Sequence, residues 1–195
     1  KWEQAEKLAT EVINLKGLTP REKYLSMYSQ NYIGDEAIFR PSSYDVGKQT
    51  STFYKYGSAL AFPADTLYSL FTDSRDIRKD LLYYRPETKT GKVNMKYYMK
   101  DTSDPKKGTD LFVLRSSEMY LIRAEANAKL NGNPSEILAD INRVRQRAGL
   151  ADLTTNNVNE LIVAIETERR FELAFEGQRW FDLVRTGRAI DVLPN

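Results

Sequence analysis

A charged segment near the end of the chain, residues 166–185, holds the side chains best suited to chemistry. It carries carboxylates at Glu166, Glu168, Glu172 and Glu176, interleaved with arginines and aromatic side chains. Carboxylates can move protons, ligate hard metal ions or pair with guanidinium groups. Three interpretations therefore stay open for this segment: a solvated helix face, a buried ion network, and a carboxylate metal site of the di-iron kind.

Composition narrows these interpretations. The 195 residues include no histidine and no cysteine, which excludes Ser-His-Asp triads, Cys-His pairs, His-ligated zinc sites and disulfides within them. Di-iron sites pair glutamates with a Glu-x-x-His motif, so a metal site is disfavoured and neither a cofactor nor a catalytic residue is assigned. The ion network is favoured by side chains that pair with carboxylates or imply burial: Arg143, Arg145, Arg147, Arg169, Arg170, Arg179, Phe175, Trp180 and Phe181.

The overall charge and hydropathy are those of an ordinary globular protein. Twenty-nine basic residues against 27 acidic residues leave a net charge of +2, and no block of Lys and Arg runs along the chain. Nucleic acid is therefore not an expected partner. No stretch approaches the roughly 20 apolar residues that span a bilayer. The chain begins at Lys1 without a leader, which predicts a piece of a longer protein.

Hydrophobic periodicity predicts helices at both ends of the chain. Two helices, Lys1–Leu15 and Pro20–Gln30, would form a helical hairpin over residues 1–30. The segment 111–195 contains four further helices. They are predicted at Ser116–Leu130 with Ser116 as its cap, Pro134–Ala148 with Ile137, Ile141, Val144 and Ala148 as a buried stripe, Asn159–Phe175, and Gln178–Arg185.

The segment 31–110 is a loop-rich excursion. Pro, Gly, Ser, Thr, Asp and Tyr accumulate in it. Its predicted elements are a short helix, Ala64–Phe71, and the strands Ala37–Phe39, Thr52–Tyr56, Asp80–Tyr84 and Val93–Tyr97. The expected fold is mainly α: tetratricopeptide-like helical hairpins with a loop-rich excursion carrying minor β-strands, in a single region over residues 1–195.

Three blocks of sequence resemble a known family. Leu114–Ala126 (LRSSEMYLIRAEA) resembles the helix that typifies SusD/RagB proteins, and Ile141–Leu150 (INRVRQRAGL) is similar to the family's next helix. The run Glu168–Arg185 (ERRFELAFEGQRWFDLVR) is similar to its C-terminal signature. Leu70–Arg78 and Lys1–Asn14 match more weakly. The chain is identified as the C-terminal part of a SusD/RagB-like protein, because the blocks follow in the family's order.

The resemblance implies a binding protein and not an enzyme. SusD/RagB proteins are lipoproteins on the extracellular face of the outer membrane, where they pass glycans or peptides to a SusC-like TonB-dependent transporter. Their lipid anchor would lie outside these residues. The resemblance also implies that the signature helices are scaffold, with Trp180 in the core. Substitution of Glu172 by Ala should then destabilise the domain without selectively abolishing ligand binding.

Ligand contacts in this family come from variable loops, so chemistry must guide the choice of residues. Sugar rings present an apolar face that stacks on flat aromatic side chains. Eight of the 12 tyrosines lie between Tyr44 and Tyr98. The binding candidates are those beside turn residues: Tyr44, Tyr54, Tyr56 and Tyr84. Tyrosine also suits strands and half-buried surfaces, so a purely structural role stays open for each.

Two other functions remain as alternatives. A tetratricopeptide-like protein-interaction adaptor would bind a protein or a peptide and have no transport role. A glycosidase would need two carboxylates facing each other across a cleft, and the loop acids available are Asp73, Asp76 and Glu87.

Overall fold

The computed structural model of the protein describes residues 1–28, 34–41, 65–82, 96 and 112–192. The α-helices are α1 (Trp2–Leu15), α2 (Asp65–Ser69), α3 (Ser116–Lys129), α4 (Pro134–Ala148), α5 (Val158–Glu172), α6 (Gln178–Arg185) and α7 (Ala189–Val192). The 3-10 helices are Arg21–Lys23, Leu25–Tyr28 and Ile77–Leu82, and the strands are β1 (Ala37–Phe39) and β2 (Leu114–Arg115). The predicted mainly α fold is confirmed.

Helix α3 lies at the centre of the helical layer and packs against α1, α4 and α5. The main core cluster contains two alanines of α3 and four larger side chains of α4 and α5: Ala124, Ala128, Ile137, Ile141, Leu161 and Ile165. The small alanine side chains let the neighbouring helices approach α3 closely. Each buried Ile or Leu contributes about 1.5–3 kcal/mol. The predicted stripe along α4 is confirmed, since its four members are all buried.

The two ends of α4 follow the predicted capping pattern. The Asn133 side chain accepts a hydrogen bond from the Ser135 amide at 3.0 Å, and Pro134 opens the helix. Gly149 ends it with φ +90°, a conformation that favours glycine. A Cβ at Gly149 would overlap the Arg21 guanidinium, which passes this point to donate to the Arg75 carbonyl at 3.0 Å. Glycine therefore permits a close approach between distant segments.

The N-terminal hairpin departs from its prediction. In place of a second α-helix up to Gln30, residues 21–28 form two 3-10 helices, and residues 29 and 30 lie outside the described part. Tyr24 and Met27 are both fully buried, and a spacing of three residues places them on one side of a 3-10 helix. They pack with Tyr28, Leu81 and Phe112 in a second core cluster.

The excursion is described only in part. The strand Ala37–Phe39 is confirmed, and the predicted helix at Ala64–Phe71 is the shorter Asp65–Ser69. The predicted strand Asp80–Tyr84 is wrong as far as Leu82, because residues 77–82 form a 3-10 helix that turns Ile77 and Leu81 toward the second core cluster. Thr52–Tyr56 lies outside the described residues, as does Val93–Tyr97 apart from Lys96.

A two-stranded ribbon brings the excursion against α3. Strands β1 and β2 are antiparallel, with Ala37 opposite Arg115. The Ser116 amide donates to the Glu36 carbonyl at 2.9 Å. Ser116 is therefore not the predicted cap: the N-terminal capping residue of α3 is Arg115, and no side-chain hydrogen bond caps the helix. This pairing puts Glu36 and Arg115 side by side at the base of α3.

A sharp turn separates α5 from α6. Helix α5 ends at Glu172, three residues before the predicted end at Phe175. Phe175 has φ +65° and Gly177 has φ +80°, and this left-handed backbone cannot continue a right-handed helix. The predicted helix Gln178–Arg185 is confirmed, and the short helix α7 follows it. The turn keeps the carboxylate of Glu176 beside that of Glu172, at the end of the buried side of α5.

Candidate functional site

Glu172 lies at the centre of a buried cluster of charges at the end of α5. Its side chain is fully buried. One carboxylate oxygen accepts hydrogen bonds from both Arg115 and Arg147, and the other lies 3.7 Å from Arg78 Nη1. Burial alone would raise the pKa of Glu172, but the positive charges of Arg147, Arg115 and Arg78 hold it well below its ordinary value. Glu172 is therefore a buried carboxylate kept ionised.

Arg115 joins three separate segments to this centre. Its guanidinium donates to Glu36 Oε1 at 2.9 Å, to Glu176 Oε2 at 2.8 Å and to the Glu172 carbonyl at 2.5 Å. It also donates to the Ser117 hydroxyl. Arg147 of α4 reaches the same Glu36, at 3.0 Å. Both arginines are buried. The ribbon, α3, α4 and the end of α5 are thus held together through guanidinium groups that each contact several acceptors.

A second branch of the network ties the 3-10 helix 77–82 to α5. Arg78 pairs with Asp76 through two hydrogen bonds, of 2.9 and 2.8 Å, and donates to Glu168 at 2.7 Å. Arg145 donates to the other oxygen of Glu168 at 2.6 Å. The ring of Phe171 lies 5.6 Å from the Arg78 guanidinium. Asp76, Arg78 and Glu168 are all buried, so this branch holds the excursion against α5.

Lys96 closes the network on the side of Glu176. Its ammonium group donates to Glu176 Oε1 at 2.5 Å and to the Glu172 carbonyl at 2.8 Å. Burial lowers the pKa of Lys96 to about 8, although Glu176 favours the charged form. Burial would raise the pKa of Glu176, but Arg115 and Lys96 lower it below its ordinary value. The cluster is a set of mutually compensating charges.

A smaller cluster fixes α6 to the helical layer. Arg169 donates to Asp182 at 2.9 Å, and Arg185 donates to the other oxygen of Asp182 at 2.8 and 3.0 Å. Arg185 also pairs with Glu125 of α3, at 2.5 and 2.8 Å. These contacts connect α3, α5 and α6. Burial raises the pKa of neighbouring Glu118, although Arg169 opposes the change.

The buried ion network is thus the interpretation that describes most of the charged segment. Glu168, Glu172 and Glu176 are closed to solvent by arginines and by packing, so a ligand in solution cannot reach them. Among the described residues, no group of three or more acidic side chains is arranged to hold a metal ion. The network's role is to bring together segments that are far apart in sequence.

The predicted ligand residues belong to the part of the excursion that the structure does not describe. Tyr44, Tyr54, Tyr56 and Tyr84 all lie outside the described residues, so their assignment stays a prediction. The two loop acids that are described each pair with an arginine. Asp76 is buried against Arg78, and partly exposed Asp73 accepts hydrogen bonds from Arg75, which lower the pKa of Asp73 to about 2. Glu87 lies outside the described part.

Helix α6 presents its aromatic side chains to the surface. Trp180 is 57% exposed and Phe181 is 65% exposed, so the expectation of Trp180 in the core is wrong. The helix buries Asp182 and Leu183 in their place. The physical reason is the ion pair between Asp182 and Arg169 of α5, which turns that side of α6 inward, so that Trp180 and Phe181 point outward with Val184.

Two clefts adjoin on the outer side of α5. The larger, of about 420 Å³, lies between α1, α3, α5 and α6, and Trp2 contributes an aromatic wall. The smaller, of about 260 Å³, lies between α5 and α7. Both are lined by Val163, Glu166, Arg179 and Arg188, so these side chains separate the two. The three charged side chains among them provide polar surface that a ligand in solution can reach.

Five members of the network were not identified from sequence as ion-pair partners: Glu36, Asp76, Arg78, Lys96 and Arg115. Glu36 and Lys96 lie in the excursion, 79 and 19 residues from Arg115 along the chain, and only the folded chain brings them together. One local signal was available. Glu36 directly precedes the strand Ala37–Phe39, and Arg115 directly follows the apolar run Phe112–Leu114. A charged residue beside a short apolar segment is compatible with a buried ion pair, because charged residues are buried only when they are paired.

Comparison with known sequences identifies relatives of this chain. It is 35% identical over 107 residues to SusD-like protein P38 of Formosa agariphila. The aligned region covers 50% of this chain and 21% of that protein. It is 36% identical over 85 residues to SusD-like protein P2 of the same organism, covering 40% and 17%. The chain thus matches about a fifth of the length of these curated relatives.

Solved structures share the fold over nearly the whole chain. A SusD homologue from Bacteroides thetaiotaomicron has a TM-score of 0.76 at 26% identity, covering 96% of this chain and 45% of that one. Surface glycan-binding protein A from the same species has a TM-score of 0.76 at 18% identity, covering 99% and 51%. The model of the SusD family (SusD_RagB) matches residues 46–192, about three quarters of the chain. The chain therefore belongs to the SusD family.

Proposed function

We propose that the protein is a cell-surface binding protein that captures a glycan and delivers it to a SusC-like TonB-dependent transporter. The observation that carries this proposal is the family match over residues 46–192. Solved proteins of the same fold are named for glycan or carbohydrate binding. The proposed location is the extracellular face of the outer membrane, with a lipid anchor outside these residues. No helix in the described part is long and apolar enough to cross a bilayer.

The described side chains support binding over turnover. The larger cleft is lined by three acids, Glu125, Glu166 and Asp182, and each pairs with an arginine. A glycosidase needs one carboxylic acid that donates a proton and a second carboxylate facing it. Because each acid of this cleft is engaged by an arginine, the cleft supports a proposed role in binding and not in catalysis.

The proposed ligand surface is the tyrosine-rich excursion. Tyr44, Tyr54, Tyr56 and Tyr84 are proposed to stack on sugar rings, while the buried network holds the base of the excursion in place. Substitution of each tyrosine by Ala removes the flat ring, whereas substitution by Phe keeps the ring and removes only the hydroxyl. We expect the Ala variants to bind more weakly and the Phe variants to retain most of the affinity.

A glycan panel tests the function directly. Isothermal titration of the purified protein with neutral and acidic oligosaccharides should give saturable binding, and chromatography after long incubation should recover intact glycan. Release of shorter products would contradict a pure binding function. If no oligosaccharide of the panel binds and other proteins co-purify instead, the tetratricopeptide-like adaptor is favoured. Exposed Trp180 and Phe181 would suit such a protein contact.

A further inference from the structure

A second set of charged residues, on α5, on α6 and just after α6, faces the solvent and carries more positive than negative charges. Glu166 accepts a hydrogen bond from Arg179, at 3.4 Å, and another from Arg188. The charges of Arg179 and Glu166 both act on the guanidinium of Arg170. All four side chains line the 260 Å³ cleft between α5 and α7. We call this cleft the arginine groove.

Arg170 distinguishes this groove from the buried network. Among the described residues it makes no hydrogen bond and no ion pair, although it is half-buried. Burial and the nearby charge of Arg179 lower the pKa of Arg170 below its ordinary value. The described part of the groove thus holds three guanidinium groups against one carboxylate. This excess of positive charge provides a reason for an anion to bind.

Most N–H donors of the three guanidinium groups in the arginine groove remain available to a ligand. Each guanidinium has five N–H groups, and Glu166 takes one hydrogen bond from Arg179 and one from Arg188. Their side chains are 32% and 46% exposed. Arginine donors form a planar fork that matches the paired oxygens of a carboxylate or a sulfate. The groove therefore has both the charge and the directed donors of an oxyanion site.

The remaining walls of the groove suit a sugar ring. They are formed by apolar side chains, among them Val163 and Phe171. The ring of Phe171 packs against Phe71, with 4.5 Å between ring centroids, so it is held in a fixed orientation. A pyranose that carries an acidic group has an apolar C–H face beside that group. Such a molecule matches an apolar wall flanked by arginines better than a simple inorganic ion does.

We propose that the arginine groove binds the carboxylate or sulfate group of an acidic oligosaccharide. This inference rests on the proposed glycan-binding function and deepens it, since it assigns a class of ligand and a site away from the tyrosine-rich excursion. Arg170 supplies the uncommitted fork. Arg179 and Arg188 exchange part of their bonding with Glu166 for bonding with the ligand. The Glu166 carboxylate competes with the ligand for the same donors.

Two substitutions should act in opposite directions. Arg170→Ala removes a donor that has no partner in the described structure, and we expect about tenfold weaker binding of an acidic sugar with an unchanged melting temperature. Glu166→Gln removes the competing charge and should strengthen binding several-fold. Arg143→Ala is the matched control, because Arg143 is exposed on α4, makes no described ion pair and lies outside the groove.

The titration uses matched pairs of probes. They are trigalacturonic acid and its methyl ester, galactose 6-sulfate and galactose, and sodium sulfate alone. The proposal predicts that an acidic sugar binds more tightly than its neutral partner, that Arg170→Ala removes this advantage, and that added salt weakens it. Comparison of the galacturonate pair with the galactose 6-sulfate pair shows whether the groove prefers a carboxylate or a sulfate. Equal binding of sodium sulfate would reduce the groove to a simple ion site and overturn the proposal.

The outcomes separate this inference from the function on which it rests. If neutral glycans bind and acidic forms gain nothing, or if Arg170→Ala and Arg143→Ala behave alike, the groove is not an anion site while the glycan-binding function stands. If no glycan binds at all, both fail together. A fall in melting temperature for Arg170→Ala would assign that residue a structural role, and the Glu166→Gln variant would then decide alone: binding no tighter than wild type contradicts the proposal.

Discussion

Helix α5 carries glutamates into two different surroundings six residues apart. Glu172 is fully buried and meets Arg78, Arg115 and Arg147. Glu166 is partly exposed and pairs with two arginines that keep contact with solvent. The residue types are the same at both places. Burial and the number of committed donors decide whether such a cluster holds the fold together or can accept a ligand.

Removing the central guanidinium, that of Arg115, should lower the free energy of unfolding by the largest amount. Arg115→Ala would remove the buried donor that Glu36, Glu172 and Glu176 have in common, and would leave Arg147 and Lys96 to balance the three carboxylates. We expect a loss of about 3–5 kcal/mol in the free energy of unfolding, measured by urea denaturation. The control Arg143→Ala should change it by less than about 0.5 kcal/mol. Similar losses for both variants would show that the network does not stabilise the fold.

Helix α6 provides the next comparison. Leu183 is 1% exposed, whereas Trp180 is 57% exposed. Leu183→Ala should cost about 2–5 kcal/mol, and Trp180→Ala less than about 1 kcal/mol, in the same denaturation experiment. An equal cost for Trp180→Ala would contradict the exposed position of its ring.

Acid should weaken the buried network. The pKa of Glu172 lies well below its ordinary value of 4.5, so the unfolded chain takes up a proton at this residue first as the pH falls. The stability that Glu172 contributes is complete above pH 4.5 and is lost as the pH drops toward the folded pKa. Burial raises the pKa of Glu118 and Asp140, which therefore act in the opposite direction.

A difference measurement isolates the contribution of Glu172. We expect the gap in unfolding free energy between wild type and Glu172→Gln to be constant above pH 5 and to shrink below pH 4.5. Chemical denaturation at a series of pH values measures this gap. A gap that does not change down to pH 3 would contradict the assignment of a depressed pKa to Glu172.

The sequence predicted the structural features that depend on residues close together along the chain. The apolar spacing of Ile137 and Ile141, with Asn133 and Gly149 as ends, was enough to place α4. The carboxylates of α5 predicted an ion network, but they did not reveal which other residues belong to it. Glu36 and Lys96 come from distant segments, and their pairing with Arg115 and Glu176 is set by tertiary packing.

The errors have the same physical origin. Trp180 was expected inside because it lies in the signature helix, but the ion pairs of Asp182 with Arg169 and of Arg185 with Glu125 decide which side of α6 faces inward. The segment at Asp80 was expected as a strand, but Leu81 is drawn into a core cluster with Tyr24 and Phe112. In both cases partners remote in sequence outweighed the local pattern. The binding residues Tyr44, Tyr54, Tyr56 and Tyr84 remain predictions.

One paired experiment tests the central contrast most directly. Glu172→Gln and Glu166→Gln are the same substitution on the same helix, and each protein is measured for unfolding free energy and for affinity toward trigalacturonic acid. We expect Glu172→Gln to lose about 3–5 kcal/mol of stability with unchanged affinity of the folded protein. Glu166→Gln should lose less than about 1 kcal/mol and bind more tightly. A stable Glu172→Gln, or a Glu166→Gln that is destabilised and binds no better, would contradict the account.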